Sequence, residues 1–132
     1  MGFSRRISTL TMELNGMIER SESMSGAGKA GANLSDLLYG KRVLYLTLKK
    51  KWFDMIASGE KREEYREMKP YWHKRLLGKG YDVIHFRNGY SKTAPVMVVE
   101  LVEINSSLGI IEWGAPPAQP VYILRLGEIL AV

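Results

Sequence analysis

Between residues 46 and 72 the chain crowds together side chains that can act on a phosphate or a base. Lys49 comes first, then Trp52 and Phe53, then Lys61, Arg62, Glu63, Glu64, Tyr65 and Arg66, then Tyr71 and Trp72. Lys61 and Arg66 suit phosphate contacts, which give affinity without sequence specificity. Glu64 can accept hydrogen bonds from the amino groups of bases. A lysine beside a carboxylate becomes a nucleophile or proton carrier once desolvated, so Lys61 and Glu64 are the catalytic pair if the chain is an enzyme. Aromatic rings beside cations can stack bases. Tyr71 is the stacking candidate, because Trp52 and Ile56 at helical spacing, and Trp72 on a second helix, read as core. On residue types alone, a competing reading is a surface strand whose Lys, Glu and Arg pair across a sheet.

The elements around these residues follow from period and punctuation. Residues 43–48 read as a β-rich strand. Residues 49–58 read as a helix with Trp52, Phe53 and Ile56 on one side and Gly59 as its stop. Residues 61–66 read as a short charged strand. Glu64 and Arg66 would share one strand face with Lys61 opposite, which places Lys61 at the turn entering the strand, free to reach over. Pro70 suits the first turn of a second helix reaching about residue 77, ended by Gly78 and Gly80. Residues 83–87 form a third strand, Asn88-Gly89 signals a hairpin turn, and 96–104 form a fourth. A loop over 114–120 with three prolines precedes a last strand over 121–126. Five strands and two helices in this order predict an α+β fold, a strongly bent sheet or small β-barrel rather than a doubly wound sheet.

This domain spans residues 41–132. Residues 1–40 read as an N-terminal extension, with an amphipathic helix over 7–21 (Ile7, Leu10, Leu14, Met17, Ile18) and a Ser/Gly/Ala-rich linker over 21–33. The extension could serve as a partner-binding arm, which gives a third reading, a protein-interaction adaptor.

The net charge of +5 is unevenly placed. Residues 41–80 hold twelve basic and five acidic side chains, whereas residues 1–40 balance and 81–132 are slightly acidic. Such a concentration draws phosphates, although a solvated lysine-rich face has the same composition. With no cysteine, disulfides, Cys-based zinc sites and a Cys nucleophile are excluded. The two histidines, His73 and His85, have no carboxylate at metal spacing, so no metal is expected. Gly26-Ala27-Gly28-Lys29 resembles a phosphate loop but lacks the hydroxyl residue after Lys29 and a preceding strand. No apolar run approaches the length of a membrane span, and the N-terminus lacks a signal-peptide core, so a cytoplasmic protein without a membrane partner is expected.

The stretch Leu46-Thr47-Leu48-Lys49, Trp52, Gly59, Lys61, Glu64, Arg66 resembles the ASCH domain, a branch of the PUA-like superfamily. The family pattern is a strand ending in lysine, a helix with an aromatic and a final glycine, then a Lys-x-x-Glu-x-Arg strand. The later Ile84-His85-Phe86-Arg87-Asn88 strand and the closing 121–126 strand also fit, so the resemblance covers about 43–130. It implies a PUA-like β-barrel with a cleft lined by Lys49, Lys61, Glu64 and Arg66, with RNA or a nucleotide as ligand and no cofactor. Tyr71 and Arg87 complete the expected ligand-binding set. Some relatives are small hydrolases of acylated nucleosides, and ribonuclease activity is attributed to others. The amidohydrolase relatives carry Thr where this chain has Glu64, and they use a later glutamate, for which Glu112 is the one acidic candidate in the corresponding gap. A binding module is therefore the first reading and a small hydrolase acting on a modified nucleoside or on RNA the alternative.

Overall fold

The computed structural model describes residues 33–132, and the chain divides into two units, Met1–Tyr39 and Gly40–Val132. The expected helix over 7–21 and nearly all of the linker lie outside the described residues. In the first unit, helix α1 (Leu34–Leu38) is a single turn whose N-cap, Asn33, accepts a hydrogen bond from the Asp36 amide at 3.0 Å. Sequence reading missed it, because five residues are too few to show a helical period.

The second unit opens with strand β1 (Val43–Leu48), in which alternation buries Leu44, Leu46 and Leu48. Helix α2 (Lys50–Ala57) follows and buries Phe53 and Ile56. It stops at Gly59, whose φ of 87° belongs to the left-handed region. Strand β2 (Glu63–Glu67) starts two residues later than expected, so Lys61 and Arg62 lie ahead of it. Helix α3 (Pro70–Leu76) begins at its proline. Strands β3 (Val83–Asn88), β4 (Val96–Leu108) and β5 (Pro120–Ala131) complete the unit, with a short 3-10 turn over Ile111–Trp113 between the last two.

The strands form one sheet in the order β1-β3-β4-β5-β2. β1 runs parallel to β3, with Val43 opposite Val83 and Leu48 opposite Asn88. The remaining pairs are antiparallel. The parallel pair was not anticipated from sequence, and its crossover carries α2, β2 and α3. Asn88-Gly89 opens a loop over 89–95 rather than a two-residue turn, because the Gly89 amide donates back to the Leu48 carbonyl at 3.1 Å. β4 and β5 are both longer than predicted. The polar end of β4 still pairs through the backbone, with Asn105, Ser106 and Ser107 opposite Ile123, Tyr122 and Val121.

The register of β4 on β5 shifts between Val98 and Glu103. Such bulges bend a strand and raise its twist, and the sheet curls into a half-barrel. It does not close. β1 and β2 are its two edges, and no ladder joins them among the described residues. In the main core, Leu46, Ile84, Phe86, Met97, Val99 and Leu124 of the sheet cluster with Phe53 and Ile56 of α2 and Leu76 of α3. A smaller cluster of Tyr65, Ala115, Val121 and Ile123 packs with Trp113.

Candidate functional site

The gap between the two sheet edges is a cleft of about 440 Å³, within the range of small-ligand pockets. One wall is the end of β1 and the start of α2, with Thr47, Leu48, Lys49 and Trp52; the other is Lys61 with Glu64, Tyr65 and Arg66 of β2. Gly89-Tyr90 and Trp113-Gly114 complete the lining. Four aromatic side chains and three cations thus surround one carboxylate.

The local sequence explains how Lys61 enters this space. Gly59 ends α2, and the Lys61 amide then donates to the Met55 carbonyl at 2.9 Å, folding the chain back against the helix end. The ammonium group is thereby carried inward, and Lys61 is only 2% exposed. It donates to the Trp113 carbonyl, lies 3.3 Å from Glu64 Oε1, and sits 5.0 Å and 4.7 Å from the ring centroids of Trp52 and Tyr65. Burial pushes its pKa below 10.5, and the Glu64 carboxylate offsets this only in part. Glu64, 6% exposed, spends its other oxygen on Arg66, with Nη2 to Oε2 at 2.9 Å. The three residues form a Lys–Glu–Arg chain that is buried at Lys61 and Glu64 and half-buried at Arg66.

Arg66 bridges the open side of the half-barrel. Its Nη2 approaches the Thr47 carbonyl at 3.5 Å, and its guanidinium lies 5.0 Å from the Trp72 ring centroid. Its Nε is buried without a partner among the described residues. Lys49 is exposed at the rim, where it is the N-cap of α2 but makes no side-chain capping bond.

The turn after β4 is fixed from the β2 side. The Tyr65 hydroxyl donates to Glu63 at 2.8 Å and accepts from the Ile110 amide at 3.0 Å. Burial raises the Tyr65 pKa well above its usual value. Gly114 has φ of 105°, and a Cβ there would stand 3.1 Å from the Trp52 indole. Glycine lets the chain following Trp113 pass close against the Trp52 ring.

Lys49, Lys61, Glu64 and Arg66 are therefore brought together as the sequence suggested. Tyr71 and Arg87 are not part of the lining. Tyr71 stands 61% exposed on α3, and the Arg87 guanidinium donates to the Ser91 carbonyl. Glu112 precedes Trp113 in the 3-10 turn but lies outside the lining. Sequence reasoning set Trp52 aside as core and did not single out Tyr65, Tyr90 or Trp113 as site residues. The available signals were the Gly89 and Gly114 punctuation beside Tyr90 and Trp113. His73 pairs with the Tyr122 hydroxyl, and His85 is buried in β3. No group of residues with metal-binding geometry occurs among the described residues, and no helix there is long and apolar enough to cross a membrane. Comparison with family models, with curated proteins and with solved structures returns no match.

Proposed function

We propose that this protein is an RNA- or nucleotide-binding module of the cytoplasm, with an ASCH-type, PUA-like domain that takes its ligand in the cleft between β1 and β2. One observation carries the reading: a buried Lys61–Glu64 pair, extended by a half-buried Arg66 and walled by aromatic rings, in an otherwise open cleft. Burying charges costs several kcal/mol per ion before pairing offsets it, and apolar residues of similar volume would serve folding at least as well. The charges gain a purpose if a ligand uses them. Arg66 and Lys49 offer donors to phosphate, and Lys61 holds Glu64 and the Trp113 carbonyl in place in the lining. Glu64 keeps lone pairs for the amino group of a base. Trp52, Trp113 and Tyr90 offer π-faces to a base.

A second reading draws on Lys61 itself. A buried lysine with a lowered pKa, 3.3 Å from a carboxylate, suits a nucleophile or proton carrier. Under this reading the chain is a small hydrolase of a modified nucleoside or of RNA, with Lys61 and Glu64 as its catalytic residues. Incubation with acylated nucleosides and RNA separates the two. Turnover abolished by Lys61→Met in a folded protein favours the hydrolase, whereas saturable binding without turnover favours the module.

A further inference from the structure

The cleft accounts for Lys49, Lys61, Glu64 and Arg66, but a second series of contacts leads out of it along α3. The Arg66 guanidinium lies 5.0 Å from the Trp72 ring centroid, and that of Arg75 lies 5.2 Å from the same ring. Arg75 also lies 5.7 Å from the ring of Tyr71, and Tyr71 meets Trp72 edge to face at 4.9 Å. The order Arg66, Trp72, Arg75, Tyr71 alternates cation and ring. It also grades outward, from an Arg66 side chain 20% exposed to a Tyr71 that is 61% exposed.

This series is held in place from below. Trp72 packs against the main core. Arg75 donates to the Tyr45 carbonyl on the free edge of β1 at 3.1 Å and reaches the Tyr71 hydroxyl at 3.4 Å. The Arg75 carbonyl in turn accepts from the Tyr81 hydroxyl at 2.6 Å. A guanidinium held by the Tyr45 carbonyl, the Tyr71 hydroxyl and two rings has little freedom left to lose on binding. Tyr71 beside it keeps most of its ring in solvent, so the ring adds little to the packing of the core.

We propose that Tyr71 and Arg75 form a second nucleotide subsite that continues the cleft, so that the ligand is single-stranded RNA rather than a free mononucleotide. The inference rests on the reading of the cleft as a nucleotide site. A base flanking the cleft-bound nucleotide stacks on Tyr71, and the phosphate between the two meets Arg75 and Arg66. Stacking on a tyrosine is tolerant of base identity, and guanidinium contacts to phosphate carry no sequence information. The subsite therefore adds affinity for chain length without adding base preference.

The test compares a short single-stranded RNA with the four nucleoside 5′-monophosphates, each titrated against wild type, Tyr71→Leu and Tyr71→Phe. Tyr71 is exposed, so both variants should fold, and thermal melting verifies this. The expected result is tighter binding of RNA than of any monophosphate. Tyr71→Leu should lose roughly tenfold on RNA, as expected for one lost base stack. Tyr71→Phe should retain RNA binding, and monophosphate binding should not change in either variant. If RNA binding is unaltered in Tyr71→Leu, or falls equally for monophosphates, the subsite is overturned while the cleft reading stands. If wild type binds neither RNA nor monophosphate, both are overturned.

Discussion

Glu64 and Lys61 differ in how much the fold depends on each, and the difference is measurable. Among the described residues Glu64 is the carboxylate paired with both Lys61 and Arg66. Glu64→Gln strands the Lys61 ammonium in a site where it is 2% exposed. At 3.3 Å and an effective dielectric of about 20, the lost attraction is about 5 kcal/mol. Lys61 can escape by losing its proton, which at pH 7 costs at most about 1.36 kcal/mol for each unit below 10.5, again about 5 kcal/mol. The expected destabilisation is therefore about 3–5 kcal/mol. Lys61→Met keeps the stem and leaves Glu64 paired with Arg66. It removes the donor to the Trp113 carbonyl and one of the two partners of Glu64, but also the cost of burying the ammonium, so it should cost about 2 kcal/mol, less than Glu64→Gln. The sign of the pH dependence also follows. A folded lysine pKa below 10.5 means that between the two values the unfolded chain binds more protons, so stability rises with pH. Glu64→Gln lowers the folded value further, so its deficit shrinks as the solution is made alkaline. Urea unfolding followed by tryptophan fluorescence at several pH values from neutral upward measures this. A Lys61→Met deficit equal to that of Glu64→Gln, or a Glu64→Gln deficit that grows with pH, would refute the reasoning.

Three further substitutions probe the frame of the cleft. Gly114→Ala sets a Cβ 3.1 Å from the Trp52 indole at φ of 105°; it should cost about 1–3 kcal/mol in thermal or urea unfolding and shift the tryptophan emission. Gly109→Ala brings a Cβ to 2.7 Å from both the Ala115 Cβ and the Tyr65 ring. It should destabilise by about 1–3 kcal/mol, and an unchanged melting temperature would show that the turn is looser than described. Tyr65→Phe removes the acceptor of the Ile110 amide and should cost about 1–3 kcal/mol. Faster hydrogen exchange at that amide would locate the effect.

The sequence was most legible where burial decided the pattern. Leu44, Leu46 and Leu48 marked their strand by alternation, and Pro70 and Gly59 marked helix ends through fixed backbone preferences. Lys61 was correctly placed ahead of its strand, because Glu64 and Arg66 already claimed one strand face. The lengths of β4 and β5 were not legible, because Asn105, Ser106 and Ser107 carry no strand signal and are held by backbone pairing across the sheet. The parallel pairing of β1 with β3 depends on a crossover, which local pattern does not encode. In the cleft, the cations were visible as residue types at suggestive spacing. The aromatic wall was not, since Trp113 and Tyr90 reach the cleft only through turns made far along the chain from Lys61. Arg87 was expected among the ligand-binding residues, yet its guanidinium is engaged by the Ser91 carbonyl.

The most direct test of the cleft itself is a titration of short single-stranded RNA against wild type and Lys61→Met at low and high salt. Lys61→Met should remain folded, so a change in binding reports on the cleft. The account predicts binding that weakens steeply with salt and falls at least roughly tenfold in the variant. RNA that fails to bind wild type, or that binds Lys61→Met with unchanged affinity and salt dependence, would contradict it.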